Sequence, residues 1–167
     1  PEIEFWLNDS ESSLLFVDKS FAEIVEKSRS EGKIPSVKEI IYMSDDDCPE
    51  KMHNYETILA KADSVDDALR SYDDIAGLFY TGGTTGRSKG VMLSHTNLVS
   101  NSLNTIIGLN IPNNARWVHA APMFHIADVT GAIAITHIAG QHYFIPGFSP
   151  DAVLNSIQDY AITDTLL

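Results

Sequence analysis

The chain has 167 residues, is 44% hydrophobic and 20% charged, and carries 23 acidic against 11 basic residues for a formal charge of -12. This is enough apolar material for one ordinary globular core and too little charge for a disordered polyelectrolyte, and an acidic balance without a basic stripe argues against nucleic-acid binding. The single cysteine, Cys48, rules out an internal disulfide, makes a cysteine zinc site implausible and suits a reducing compartment.

Taken in chain order, Pro1–Leu7 has a proline, Glu2 and Glu4 at its front and is closed by Asn8-Asp9-Ser10, which predicts a short helix. Leu14–Val17 is a short, wholly apolar run, as expected of a buried strand. From Ser20, the apolar residues Phe21, Ile24 and Val25 recur at helical spacing until Gly32 and Pro35 stop the pattern. Val37–Met43 predicts a second strand. Ser44–Glu50 reads as a solvated acidic loop whose spacing matches no calcium-loop pattern. A helix near Tyr55–Ala62 and a mixed segment to Asp74 follow.

Ile75–Tyr80 is an apolar run leading into a Gly/Thr-rich loop, and Gly90–Leu93 is a second run directly after it, so strand, loop, strand is the simplest assignment. Thr96 or Asn97 is the expected cap of the next helix, whose Leu98, Val99, Leu103, Ile106 and Ile107 form one face before Gly108 and Pro112 end it. Trp117–Ala121, Ala127–Ala139 and Tyr143–Ile145 predict strand, helix, strand. Ser149-Pro150-Asp151 opens a last helix with a capping residue, a proline and an acid, and Ile162–Leu167 resumes as a strand. Alternating strands and helices argue for a layered α/β fold with a largely parallel sheet and flanking helices. The most apolar stretch, Ile126–Ile145, is interrupted by Asp128, His137, Gln141 and His142, so no transmembrane segment is expected. A first residue other than Met and an uncapped apolar end lead us to expect a piece of a larger domain.

The acidity is uneven. Residues 75–167 hold only Asp128, Asp151, Asp159 and Asp164 as acids, and none lies between Asp74 and Asp128, where Arg87, Lys89 and Arg116 all fall. That stretch can meet an anion without local repulsion. Within it, the run Tyr80-Thr81-Gly82-Gly83-Thr84-Thr85-Gly86-Arg87-Ser88-Lys89-Gly90-Val91 concentrates glycines, threonines and two cations. Glycine lets several backbone N–H groups converge on one anion, threonine hydroxyls add neutral donors, and Lys89 adds a mobile point charge for phosphate oxygens. A plain surface turn would favour serine and glycine without a lysine at the mouth of a strand. A Walker-type phosphate loop needs Gly-Lys-Ser/Thr followed by a helix; here Lys89 precedes Gly90 and a strand follows.

The run YTGGTTGRSKGVMLSH resembles the phosphate-loop signature of the adenylate-forming (AMP-binding) synthetase superfamily and is most similar to acyl-CoA synthetases, with Gly82 in place of the usual Ser and Ser88 in place of the usual Pro. Both departures leave the glycine frame, Thr84, Thr85 and Lys89 in place, so altered loop stiffness is expected rather than lost phosphate binding. A second match follows: Ala121-Pro122-Met123-Phe124-His125-Ile126-Ala127-Asp128 is similar to the family's P-x-F-H element at the acyl-substrate pocket. The opening segment, Trp6–Ser10 before the Leu14 strand, is also similar to acyl-CoA synthetases.

The resemblance implies a fragment, residues 1–167, of the large N-terminal AMP-binding domain, with its C-terminal part and the small lid domain outside. It implies a ligase that turns a carboxylic acid and ATP into acyl-AMP and pyrophosphate and then passes the acyl group to coenzyme A, the acid being fatty or otherwise apolar. Thr81, Gly82, Gly83, Thr84, Thr85, Gly86 and Lys89 are expected to hold the ATP phosphates, with Thr81 as a candidate ligand for Mg2+. Phe124 and His125 are expected to meet the acid, and Lys89 and His125 to take part in the chemistry. The alternatives are an acyl-AMP ligase delivering to a carrier protein and a non-catalytic nucleotide-binding or interaction module. The expected setting is cytoplasmic, with peripheral membrane association left open, and the fragment alone is not expected to turn over. His95 is expected to be structural, and His119, His125, His137, His142 and Asp128 show no metal-site spacing.

Overall fold

Segments with alternating strand and helix patterns bury their apolar faces by layering, and the computed structural model, which describes residues 2–82, 86 and 88–167, shows such layers in two compact units, Pro1–Ala68 and Leu69–Leu167. In the first unit the order is α1 (Glu2–Asp9), β1 (Leu14–Asp18), α2 (Lys19–Ser30), β2 (Glu39–Met43), β3 (His53–Asn54) and α3 (Tyr55–Leu59). The strands pair in the order β1-β2-β3, all parallel, with Leu14 opposite Glu39 and Ile41 opposite His53. The Asp18 carboxylate caps α2 by accepting the Ser20 N–H at 2.8 Å. The core gathers Leu7, Val17, Val25, Ile34, Ile40 and Tyr42.

Three expectations are corrected in detail. Leu14–Val17 is not buried throughout: β1 is an edge strand, only Val17 is buried, and Leu14 and Phe16 are about half exposed. The second strand starts at Glu39 rather than Val37, because Val37 turns back on the Ile34 carbonyl. The helix from Tyr55 ends at Leu59, where the chain tightens into turns.

The second unit opens with an antiparallel hairpin, β4 (Ile75–Thr81) and β5 (Lys89–Ser94), which runs directly into α4 (His95–Gly108). His95 sits at that junction as expected, but the cap is Ser94, neither Thr96 nor Asn97. The Ser94 hydroxyl accepts the Asn97 N–H at 3.3 Å while the Asn97 side chain accepts the Ser94 N–H at 3.0 Å, a reciprocal capping box. Then come β6 (Arg116–His119), α5 (Ile126–His137), β7 (Gln141–Phe144), α6 (Pro150–Tyr160) and β8 (Asp164–Thr165). β6 lies between β7 and β8, parallel to both.

Alternation along these strands decides what each helix meets. Trp117 and His119 share one face with His142 and Phe144, and α5 covers it. Val118 and Tyr143 point the other way, where Tyr143 meets Tyr160 of α6 with ring centroids 5.1 Å apart. α4 packs on α5, and Ile111, Ala115, Trp117, Ala134 and Ile135 form the core there. The expected layered α/β fold with parallel strands and flanking helices is therefore observed.

Candidate functional site

The hairpin positions the loop. In the antiparallel ladder Thr81 is directly opposite Lys89, and residues so paired project side chains from the same face about 5 Å apart at Cβ. The Thr81 hydroxyl and the Lys89 ammonium therefore flank the loop mouth together, and both residues are exposed. Further bonds close the mouth: the Ser88 hydroxyl donates to the Thr81 carbonyl at 2.5 Å, and the Thr81 hydroxyl reaches the Lys89 carbonyl at 3.4 Å. Ser88 thus ties the loop at the position where the family pattern carries proline. Gly82 and Gly86 are exposed, and Gly86 has φ +150°, a conformation that side-chain-bearing residues rarely take. The ring of Tyr80 covers Gly90, where an added Cβ would come within 3.2 Å of it. Lys89 makes no ion pair among the described residues. Gly83, Thr84 and Thr85, expected to hold phosphates, lie outside the described residues, as does Arg87.

The second element stands at the start of α5. His125 is the N-cap, and its Nδ1 accepts the Ala127 N–H at 3.3 Å. In a neutral imidazole this places the proton on Nε2, leaving an exposed N–H donor suited to a carboxylate oxygen. Phe124, immediately before it, is 90% exposed. Between α4 and α5 lies a mainly apolar cavity of about 440 Å³, with Thr105, Leu109, Trp117, Ala127, Gly131 and Leu166 in its wall; Phe124 and His125 do not line it.

Behind the same turn lies a group of polar residues that sequence reasoning did not connect. Asp128 Oδ2 is 2.9 Å from His119 Nδ1; His119 Nε2 is 2.9 Å from His142 Nδ1; His142 Nε2 is 3.2 Å from Thr136 Oγ1. Asp128 is 0% exposed and His119 4%. Trp117 Nε1 points at Asp128 Oδ1 at 3.4 Å. The rings of His119 and His142 are nearly parallel with centroids 5.2 Å apart, and Phe144 stacks on His119 at 4.7 Å. Burial and then the charge of His119 hold the His142 imidazole below its ordinary value. His137 is separate, bonding through Nδ1 to the buried Ser102 hydroxyl at 2.8 Å. The available signal was a histidine closing an otherwise buried strand and an acid at the third position of an apolar helix, but pairing them requires the β6–β7 register.

Among the described residues, no group of three or more His, Cys, Asp or Glu side chains could hold a metal ion, and no helix is long and apolar enough to cross a membrane.

The family model "AMP-binding enzyme" matches residues 1–167. Relatives include a feruloyl-CoA synthase of Amycolatopsis, 34% identical over 105 residues, covering 62% of this chain and 21% of that protein. The 2-succinylbenzoate–CoA ligase of Bacillus subtilis is 31% identical over 161 residues, covering 95% of this chain and 29% of that protein. The chain thus spans less than a third of the length of these relatives. Among solved structures, the ATP-bound MatB of Rhodopseudomonas palustris is 28% identical with a TM-score of 0.77, covering 98% of this chain and 31% of that one. The N-terminal domain of FACL13 from Mycobacterium tuberculosis has the same fold, with a TM-score of 0.85 at 23% identity, covering 99% of this chain and 40% of that one. With the loop, the Phe-His element and the layered fold agreeing with a match along its full length, the chain belongs to the AMP-binding enzyme family.

Proposed function

We propose that this chain is the phosphate-gripping and acid-orienting part of an ATP-dependent carboxylate–CoA ligase, and that it works within a longer polypeptide whose other parts complete the large domain and supply a lid. The observation that carries the reading is the Thr81–Lys89 pair at the mouth of a glycine-rich loop, in a stretch without acids from residue 75 to 127.

In the first half-reaction a carboxylate oxygen attacks the α-phosphorus of ATP. The new P–O bond forms as the bond to the β-phosphate oxygen breaks, and pyrophosphate leaves with the electron pair, giving acyl-AMP. In the second, the thiol of coenzyme A attacks the acyl carbon and AMP leaves. A carboxylate is a poor acyl donor because its leaving group would be oxide, so the protein's work is alignment and charge neutralisation. Lys89, the hydroxyls of Thr81, Thr84 and Thr85, and the N–H groups of Gly82, Gly83 and Gly86 would hold the β- and γ-phosphates and the departing pyrophosphate. His125 would donate from Nε2 to the acid, which is already ionised at neutral pH, so it orients rather than deprotonates. Mg2+ would neutralise phosphate charge; the exposed Thr81 hydroxyl is an oxygen donor of the kind it accepts. The cavity along α5 favours an acid with an apolar body, and names such as feruloyl- and 2-succinylbenzoate–CoA ligase among the relatives extend the candidates from fatty to aryl acids.

The test is pyrophosphate exchange into ATP by the full-length polypeptide, across a panel of fatty and aryl acids. Acid-dependent exchange, followed by thioester formation on adding coenzyme A, is expected. Exchange by the 167-residue chain alone is not expected, since it holds only part of the relatives' length.

A further inference from the structure

The buried His119 and the partly buried His142 raise a proton-counting problem. The Thr136 hydroxyl donates to the Ala132 carbonyl at 2.8 Å, so toward His142 Nε2 it can only accept. His142 Nε2 therefore carries a proton, and in a neutral ring its Nδ1 must accept from His119 Nε2. With Nε2 protonated, His119 faces the Asp128 carboxylate through Nδ1 at 2.9 Å, and that contact also needs a proton. One proton therefore lies between Asp128 and His119: a carboxylate facing an imidazolium and a carboxylic acid facing a neutral imidazole both satisfy the bonds, and the greater basicity of an imidazole favours the first.

An ion pair this deeply buried is not an efficient way to stabilise a fold, because apolar residues of similar volume often serve as well or better. Its position suggests another use. Asp128 is the third residue of α5; its N–H donates to the His125 carbonyl at 3.2 Å, in the same turn where Ala127 N–H holds the His125 ring. Its carboxylate is anchored to the end of β6, and His119 is backed in turn by His142 of β7. The turn presenting Phe124 and His125 is thus fastened to two strands through charge-assisted bonds.

We propose that Asp128, His119 and His142 are positioning residues for the acid substrate: a buried imidazolium–carboxylate pair, backed by a neutral imidazole, fixes the first turn of α5 and with it the direction of the His125 Nε2 donor. The proposal rests on the ligase reading for its substrate, while the protonation pattern stands apart from it.

Two measurements on the full-length polypeptide decide it. With 15N-labelled histidine, NMR should show two protonated ring nitrogens on His119 at neutral pH and one on His142, and the Asp128→Asn variant should leave His119 with one. In pyrophosphate exchange, Asp128→Asn and His119→Gln should raise KM for the acid by roughly 10- to 100-fold, as expected for a displaced orienting group. KM for ATP should stay within about twofold of wild type, which also reports that the variants are folded. A singly protonated His119 in the unaltered protein, equal rises in both KM values, or no rise in either, would overturn the proposal. Absence of exchange in the unaltered polypeptide would remove the ligase reading and with it the substrate role, leaving the histidine signals to decide the ion pair alone.

Discussion

The β4–β5 hairpin and the β6–α5–β7 layer place polar chemistry in opposite ways. In the hairpin, Thr81 and Lys89 are eight positions apart, exposed, and joined by a local ladder. In the layer, the buried Asp128 meets the buried His119 across nine positions, and His119 meets the partly buried His142 across 23. Thr81 and Lys89 stand in water, open to the large, highly charged ligand proposed for the loop. A support that must not move keeps its charges out of water, where each bond is stronger and an unpaired partner is costly.

That contrast can be broken by mutation. Asp128→Ala leaves the His119 imidazolium without its carboxylate, and a loss of about 3–5 kcal/mol is expected in denaturant unfolding of the full-length polypeptide. A loss under about 1 kcal/mol would show that the pair is not the charged, buried unit described.

Gly131→Ala should come next. Alanine is the better helix former, but its Cβ would lie 2.6 Å from Trp117 Cζ2, so overpacking should prevail and cost about 1–3 kcal/mol by the same measurement. Because Trp117 also points at Asp128, the substitution probes the same layer from its cavity side. On the hairpin side the expected effect is smaller. Ser94→Ala removes the hydroxyl half of the capping box where β5 becomes α4 and should cost about 1 kcal/mol. Comparable losses from Ser94→Ala and Asp128→Ala would erase the proposed distinction between the two regions.

The same difference explains what could be read from the sequence. The loop was legible because its chemistry is written consecutively, and α6 because Ser149, Pro150 and Asp151 form a local start signal. The cap of α4 was misplaced by two or three residues because Ser94 also completes a strand, and only the reciprocal bond with Asn97 shows where the helix begins. Leu14–Val17 looked like a buried strand, but apolar composition does not reveal that a strand lies at a sheet edge. The spacing of His119, His142 and Asp128 in the sequence shows only that it is not a metal-site pattern. Their actual relation depends on which residues of β6 and β7 share a face, and pairing register is not written locally.

In the proposed ligase the glycine-threonine loop grips ATP through Lys89. Calorimetric titration of the full-length polypeptide with ATP and magnesium, comparing wild type with Lys89→Ala, tests it most directly. Binding is expected in the wild type, weakened roughly 10- to 100-fold in the variant by loss of a charge-assisted contact to phosphate. Equal affinity in the two proteins, or no binding to either, would contradict it.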